Sequence, residues 1–324
     1  MIGAEGANLA REGSSDSGLY ADRGAMVPDV QRIAVLRANA VGDFVVSLPA
    51  LAALRRSYPD SHITLLGREW HARFLRGRPS PVDEVAVIPP GVDLGAALDA
   101  PGQDRDAAGA FFGAMRARRF DLALQLHGGG AYSNPFVRRL GARLCAGLQA
   151  DGAEPLDRNL PYREPHSEVL RLLETVALVG ARGCDVEPRL AITEADRHEL
   201  DHVLAPGEQR PVLVLQPFCF DPRRAWPAER FAAVGDHYAA HGALVVMNGT
   251  AQEADALAQV RAAMREPALD LTGALSLGGL LALLGRAQLL VSNDTGTAHL
   301  ARAIGLPSVT ISWIGNLAAY GPTS

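Results

Sequence analysis

LLVSNDTGTAHLARAIGLPSVTIS, residues 289–312, is an apolar strand that runs straight into an Asp-Thr-Gly-Thr turn, from which a helix opens and a second short strand follows. The unpaired N–H groups of the first helical turn and the positive end of the helix dipole converge on that turn. Such a place binds phosphate. Gly296 lets a ligand approach the backbone, and the hydroxyls of Thr295 and Thr297 add donors. Asp294 repels a phosphate but suits the hydroxyl groups of a sugar. The same residues also read as a plain helix start, with Asp294 as N-cap, Gly305 as C-cap and His299 as an interior histidine.

Working outward, the strand-then-helix order repeats. Upstream lie PVLVLQP (strand), AERFAAVGDHYAAHG (helix), ALVVMNG (strand), EADALAQVRAAM (helix) and LGGLLALLGRA (helix). An earlier series opens with RIAVLRA as a strand and a helix in which Phe44, Val45, Leu48, Leu51 and Leu54 recur at helical spacing; Pro49 should kink that helix or mark a restart after Ser47. SHITLLG, DEVAVIP, FFGAMRARRF and DLALQLHGGG continue the alternation. Alternation of this kind predicts parallel sheets with right-handed crossovers. The fold class is α/β: two Rossmann-like, doubly wound domains over 30–160 and 161–324 facing a cleft, after an extension over 1–29. HSEVLRLLETVALVG is an amphipathic helix, and the extended RGCDVEPRLAIT after it marks the changeover.

Composition excludes several functions. All 31 basic residues are arginine, so the phosphate-reaching lysine of a P-loop and the lysine amine of Schiff-base or pyridoxal-phosphate chemistry are both missing. A net charge of −5 argues against a nucleic-acid partner. Cys145, Cys184 and Cys219 are odd in number and far apart, which suggests neither a disulfide framework nor a zinc site and implies a reduced, cytoplasmic setting. The first 28 or so residues lack an apolar segment of signal-peptide type and read as disordered; no run of about 18 apolar residues predicts a membrane span. No GxGxxG follows a strand, which removes the best support for a nicotinamide enzyme.

Two further segments carry chemistry. In RANAVGDFVVSLPAL, residues 37–51, Asp43 stands at the carboxyl end of the first strand, where a carboxylate can act as general base on a bound hydroxyl; it also reads as a helix N-cap. In DPRRAWPAERF, residues 221–231, a guanidinium can reach a diphosphate in bidentate fashion, or the arginine pair is solvated. Glu253 is placed to accept from ribose hydroxyls or, equally, to serve as a first-turn glutamate.

Taken together, these segments resemble glycosyltransferase family 9, the ADP-heptose:lipopolysaccharide heptosyltransferases, over about residues 32–321. RANAVGDFVVSLPALAALRRSYPDSHITLLG looks like the family's opening strand, Gly-Asp turn and Leu-Pro-Ala-Leu helix, and VSNDTGTAHLARAIGLPSVTIS is similar to its Asp-(Ser/Thr)-Gly-x-x-His-Leu-x-x-Ala-x-Gly-x-Pro donor motif. The resemblance implies a GT-B fold, with the acceptor on the first domain and the nucleotide sugar on the second, and inverting heptosyl transfer from ADP-heptose without a metal. It implies Asp43 as base, Asp294, Thr295, Gly296, Thr297 and His299 around the donor, and Glu253 near the ribose. Arg224 takes the place of a phosphate-contacting lysine. Arg37, Asn39 and His127 are acceptor-side candidates. The acceptor would be a saccharide, glycolipid or small molecule, and the enzyme a cytoplasmic monomer with at most peripheral membrane contact. The arginines around Arg68, Arg73, Arg76 and Arg78 and around Arg138, Arg139 and Arg143 read either as patches for an anionic glycolipid at a membrane surface or, more in keeping with each residue alone, as ordinary solvated faces.

The chain departs from the family pattern in places. Gln216-Pro217-Phe218 replaces a His-Pro-Gly type turn, His127 stands where glutamine is frequent, and after SWIGNLAAYGPTS the family usually continues into a terminal helix, which implies truncation or a different closure. Asp104-Arg105-Asp106 matches the DxD triplet of metal-dependent glycosyltransferases but lies in a Gly/Ala-rich loop. Rival expectations are another nucleotide sugar, an epimerase on the same scaffold, and a non-catalytic nucleotide-sugar-binding module.

Overall fold

The computed structural model describes residues 24–322. Of the stretch 1–29 expected to be a disordered extension, residues 1–23 lie outside the described residues. Residues 24–29 are packed instead: Val27 is buried and its N–H donates to the Tyr58 hydroxyl (3.1 Å), while Arg143 donates to the Pro28 carbonyl (2.8 Å).

The first unit comprises β1 (Arg32–Leu36), α1 (Val41–Ser57), β2 (His62–Gly67), α2 (Glu69–Leu75), β3 (Glu84–Val87), α3 (Arg105–Ala117), β4 (Leu122–Gln125), α4 (Ser133–Arg138), β5 (Leu144–Gln149), β6 (Arg158–Pro161) and α5 (Glu168–Ala177). Its strands are all parallel, in the order β3-β2-β1-β4-β5-β6. The second unit comprises α6 (Glu194–Asp201), β7 (Val212–Gln216), α7 (Ala228–Ala240), β8 (Leu244–Met247), α8 (Ala254–Ala263), β9 (Leu269–Asp270), α9 (Leu277–Arg286), β10 (Leu289–Asn293), α10 (Gly296–Ala303), β11 (Ser308–Ile311) and α11 (Ile314–Tyr320), with a parallel sheet in the order β11-β10-β7-β8-β9. The winding reverses between β1 and β4 and between β7 and β10. In doubly wound sheets ligands bind in the crevice beyond the strand ends at such reversals. Those ends carry 37–40 after β1, 217–227 after β7 and the Asp294 turn after β10.

The inner strands, such as β1, β4, β7 and β8, read as apolar runs because both faces are covered. Along β1, Ile33 and Val35 enter one apolar cluster while Ala34 and Leu36 enter another; along β7, Val212 and Val214 face the first cluster and Leu213 and Leu215 a third. The first cluster is shared between the units, joining Leu51, Leu54 and Leu172 to Leu281, Leu284 and Leu300. α5 packs on α1, so the first unit's packing continues past residue 161.

α1 is unbroken from Val41 to Ser57, with Pro49 inside it, and the expected restart after Ser47 does not occur. Proline removes one helical hydrogen bond. Burial of Val45, Leu48, Leu51 and Leu54 between α5 and α10 holds the helix across that gap. Gly42 and Asp43 therefore lie in the first helical turn, not in a loop before it.

Candidate active site

The two units meet where the N-terminus of α1 touches the N-terminus of α10. A β-carbon on Gly296 would stand 2.9 Å from Cβ of Val41, so only glycine permits this approach. Beside the contact opens a cleft of about 400 Å³, lined by Ala40 and Val41 from the first unit and by Arg224, Glu253, Asp294, Thr295, Gly296 and Thr297 from the second. The donor-side residues read from the sequence are gathered here, with the exception of His299.

Thr295 is the N-cap of α10, and no side chain caps the helix. The first-turn N–H groups and the positive helix end thus face the cleft, as anion binding requires. Asp294 precedes the cap, so the N-cap reading of this residue gives way; Gly305, with φ at +74°, does terminate the helix. The Asp294 Oδ2 accepts from Asn316 Nδ2 at 2.7 Å.

Arg224 and its neighbour separate. Arg223 is exposed and pairs with Asp221 at 2.7 Å, whereas the half-buried Arg224 reaches the cleft, its Nε 3.9 Å from Asp221 Oδ2. The loop carrying them is fastened by Asn293, a fully buried side chain absent from the sequence-based candidates. Its Nδ2 donates to the Pro217 carbonyl (2.6 Å) and its Oδ1 accepts from the Trp226 N–H (3.0 Å). A polar Ser-Asn pair ending an otherwise apolar strand was the signal available for it. Glu253 lines the cleft and closes a capping box, its Oε2 accepting from Thr250 N–H (2.7 Å) and from Gln216 Nε2 (3.4 Å). The first-turn reading of Glu253 is thus met by the capping box, and its second carboxylate oxygen has no hydrogen-bond partner among the described residues. Phe218 and the exposed Phe220, with Leu275, Leu277 and Leu280, add an apolar part to the wall, beside the polar Gln216, Asn248, Thr250 and Ser276.

His299 faces away from this cleft. It is nearly buried against Gly42 and lines a second cavity of about 570 Å³ with Asp294, Arg302 and Tyr320. Burial lowers its pKa; Arg302 adds to the lowering, while Asp294 and Asp43 act against it. The imidazole is therefore neutral near pH 7, with Nε2 4.0 Å from Asp294 Oδ1.

Asp43 is partly exposed, and its Oδ1 receives Arg37 Nη2 (3.2 Å) and the Tyr320 hydroxyl (3.4 Å). Arg37, expected on the acceptor side, is 1% exposed: it donates to the Asp43 carbonyl, the Leu126 carbonyl and Glu168 Oε1. With its side chain 1% exposed and enclosed by these groups, Arg37 braces Asp43 from behind. Glu168 is held in turn by Arg171 at 2.6 Å. His127 accepts from the Ala38 N–H on Nδ1 (3.3 Å), which leaves Nε2–H as a donor; burial, then Arg37 and Arg68, lower its pKa to about 4. Asn39 has a buried Oδ1 with no partner among the described residues. Tyr320, Asn316 and Glu168 had no local sequence signal, because their partners are distant in the chain.

Asp104, the first acid of the DxD triplet, accepts from the Ala107 N–H at 2.9 Å and caps α3. Among the described residues no group of three or more His, Cys, Asp or Glu side chains gathers as a metal site requires, and no helix is long and apolar enough to cross a membrane.

The profile of glycosyltransferase family 9 (heptosyltransferase) matches residues 108–323. Lipopolysaccharide heptosyltransferase 2 of Escherichia coli (strain K12) is 24% identical over 313 aligned residues, covering 90% of this chain and 83% of the relative. Among solved structures, the glycosyl transferase family 9 from Veillonella parvula is similar with a TM-score of 0.80 at 24% identity, over 93% of this chain and 87% of that one. The E. coli ADP-heptose lps heptosyltransferase II is similar with a TM-score of 0.71 at 21% identity, over 86% and 84%.

Proposed function

The chain belongs to glycosyltransferase family 9 and is a glycosyltransferase of GT-B architecture, and from that premise we propose that it moves a heptose from ADP-heptose to a saccharide hydroxyl, with inversion and without a metal ion. One observation carries the reading: the uncapped N-terminus of α10, Arg224 and Glu253 line one cleft whose opposite wall is the start of the helix bearing Asp43. The names of the relatives supply the sugar and suggest a lipopolysaccharide core as acceptor.

In this reading the donor's diphosphate lies against the Thr295-Gly296-Thr297 N–H groups and Arg224, and its ribose against Glu253. The heptose lies toward Asp294. The acceptor hydroxyl gives its proton to Asp43 as its oxygen bonds to the anomeric carbon. On the opposite face the bond from that carbon to the diphosphate oxygen breaks, and the electron pair leaves with ADP. Positive charge develops on the sugar ring as in glycoside cleavage, and negative charge on the leaving diphosphate. Preorganised donors aimed at that developing charge lower the barrier, and Arg224 and the α10 N-terminus are such donors. They fill the role a cation would otherwise have. The protein would act as a cytoplasmic monomer that meets its acceptor at the membrane surface.

The test is ADP release from ADP-heptose with lipopolysaccharide from a heptose-deficient strain as acceptor, beside UDP-sugars as rival donors. Release from ADP-heptose alone, insensitive to EDTA, is expected. Consumption of a UDP-sugar only would remove the heptosyl reading, and EDTA inhibition reversed by Mn²⁺ would remove the metal-free one.

A further inference from the structure

α11 touches both carboxylates of the site. Asn316 donates to Asp294 Oδ2 at 2.7 Å, and one helical turn later Tyr320 donates to Asp43 Oδ1 at 3.4 Å. Residues four apart share a helix face, so one short element grips an acid from each unit.

The Tyr320 contact is asymmetric. Arg37 Nη2 reaches the same oxygen, Oδ1, at 3.2 Å, and no donor among the described residues reaches Oδ2. The Tyr320 ring is held edge-on to the His299 imidazole, with centroids 6.2 Å apart. Burial raises the phenol's pKa beyond its ordinary value, and the charges of Asp43 and Glu168 push it the same way. The hydroxyl keeps its proton and acts as donor toward the carboxylate.

We infer that Tyr320 and Asn316 are positioning residues for the transfer: Tyr320, with Arg37, fixes Oδ1 of Asp43 so that Oδ2 is the oxygen that takes the acceptor's proton, and Asn316 orients Asp294 toward the donor sugar. A carboxylate held at one oxygen cannot rotate, and its second oxygen has one direction in which to accept. A base contributes only when its lone pair meets the proton in line at hydrogen-bond distance. The proton passes from acceptor oxygen to Oδ2 while Oδ1 keeps both donors; no other group changes protonation. The two contacts act on different substrates, so their loss should appear in different kinetic constants.

This inference rests on the proposed heptosyl transfer and is tested in the same ADP-release assay. Tyr320→Phe keeps the ring and removes one hydroxyl. It should lower kcat about tenfold, the loss expected of one hydrogen bond to a charged group, with the KM for ADP-heptose within about twofold. Asn316→Leu should raise the KM for ADP-heptose about fivefold or more and leave kcat nearly unchanged. A structural role alone would move both constants together with the melting temperature, which is recorded for each variant. A wild-type kcat in Tyr320→Phe, or the same kinetic pattern in both variants, overturns the positioning roles while the heptosyl reading stands. No ADP release by the wild-type chain overturns that reading and this inference with it.

Discussion

The α-carbon of Gly42 in the first unit lies against the imidazole of His299 in the second: a β-carbon at Gly42 would come within 2.7 Å of Cδ2 of that ring. The ring cannot swing aside freely, because Tyr320 borders it and the residue is nearly buried. Gly42→Ala should therefore push α1 and α10 apart. Overpacking of this kind costs about 1–3 kcal/mol, visible as a lower melting temperature by calorimetry and weaker binding of ADP-heptose. Gly42→Ala combined with His299→Ala should recover part of the loss, since contacting positions couple. Independent, additive effects would mean that the two residues do not meet.

Asp43→Asn separates chemistry from donor binding. Asparagine keeps the shape of the side chain but cannot take a proton, so turnover should fall by about 10²- to 10⁴-fold, the usual contribution of a positioned base. Asp43 does not line the cleft that holds Arg224 and Glu253. The dissociation constant for ADP, measured by calorimetric titration, should stay unchanged. Turnover near the wild-type rate would take Asp43 out of the mechanism.

The strands that flank the two reversals of winding were legible in the sequence because they are covered on both faces and read as apolar runs, as at Ile33–Leu36 and Val212–Leu215; the order in which they pair was not. β5 was not legible. Its LCAGLQ carries glycine where the sheet is crowded, a β-carbon at Gly147 falling 2.5 Å from Cβ of Gln125. α6 was missed because EADRHELD buries only Asp196 and Leu200, too few for an apolar stripe. That Arg224, Glu253 and Asp294–Thr297 share a cleft was legible because they lie on short strand-to-helix loops; that His299 lies outside it was not. The environment of Asp43 was not: Glu168 is 131 residues from Arg37, and Tyr320 is 277 residues from Asp43. Arg37 read as a ligand-facing arginine because its buried counter-charge comes from a helix no local pattern connects to it.

Arg224 stands where the family resemblance places a lysine, and its guanidinium lines the cleft beside the α10 N-terminus. Arg224→Ala should cost about 10²- to 10³-fold in kcat, comparable to loss of one preorganised donor at a developing negative charge. Arg224→Lys keeps the charge but loses the planar fork, so it should fall between wild type and alanine. The ranking is read from single-turnover ADP release. Equal rates for all three would show that the diphosphate lies elsewhere.

Asn293 should matter to donor binding although it does not line the cleft, since it ties both ends of the 217–226 loop. Asn293→Ala strands the Pro217 carbonyl and the Trp226 N–H, at a cost of about 1–3 kcal/mol for each buried group left unpaired. The loop carries Arg224, so the KM for the donor should rise. The double variant with Arg224→Ala should lose less than the product of the single losses, because both act through one loop. Multiplicative losses would indicate that Asn293 supports the fold without placing Arg224.

A buried ion pair also joins the units. Arg78, after α2, makes two hydrogen bonds to Asp196 of α6 at 2.7 and 2.9 Å and donates to the Ala191 carbonyl, and both side chains are nearly fully buried. Removing one partner leaves the other charge uncompensated, at about 3–5 kcal/mol. Asp196→Asn should therefore melt well below wild type at pH 7. Burial disfavours the charged carboxylate, but hydrogen bonds from Arg78 and Thr193 outweigh it and hold the carboxyl below its ordinary value of 3.8. A carboxyl whose folded value is depressed adds stability that is complete above the unfolded value and is lost as pH falls through the folded one. The gap between wild type and Asp196→Asn should hold constant from pH 7 down to about pH 5, then close as the pH drops below about 3.8. Thermal melts of both proteins across that range check it, and a gap that instead narrows around pH 6 to 7 would assign the pH dependence to histidines and not to this pair.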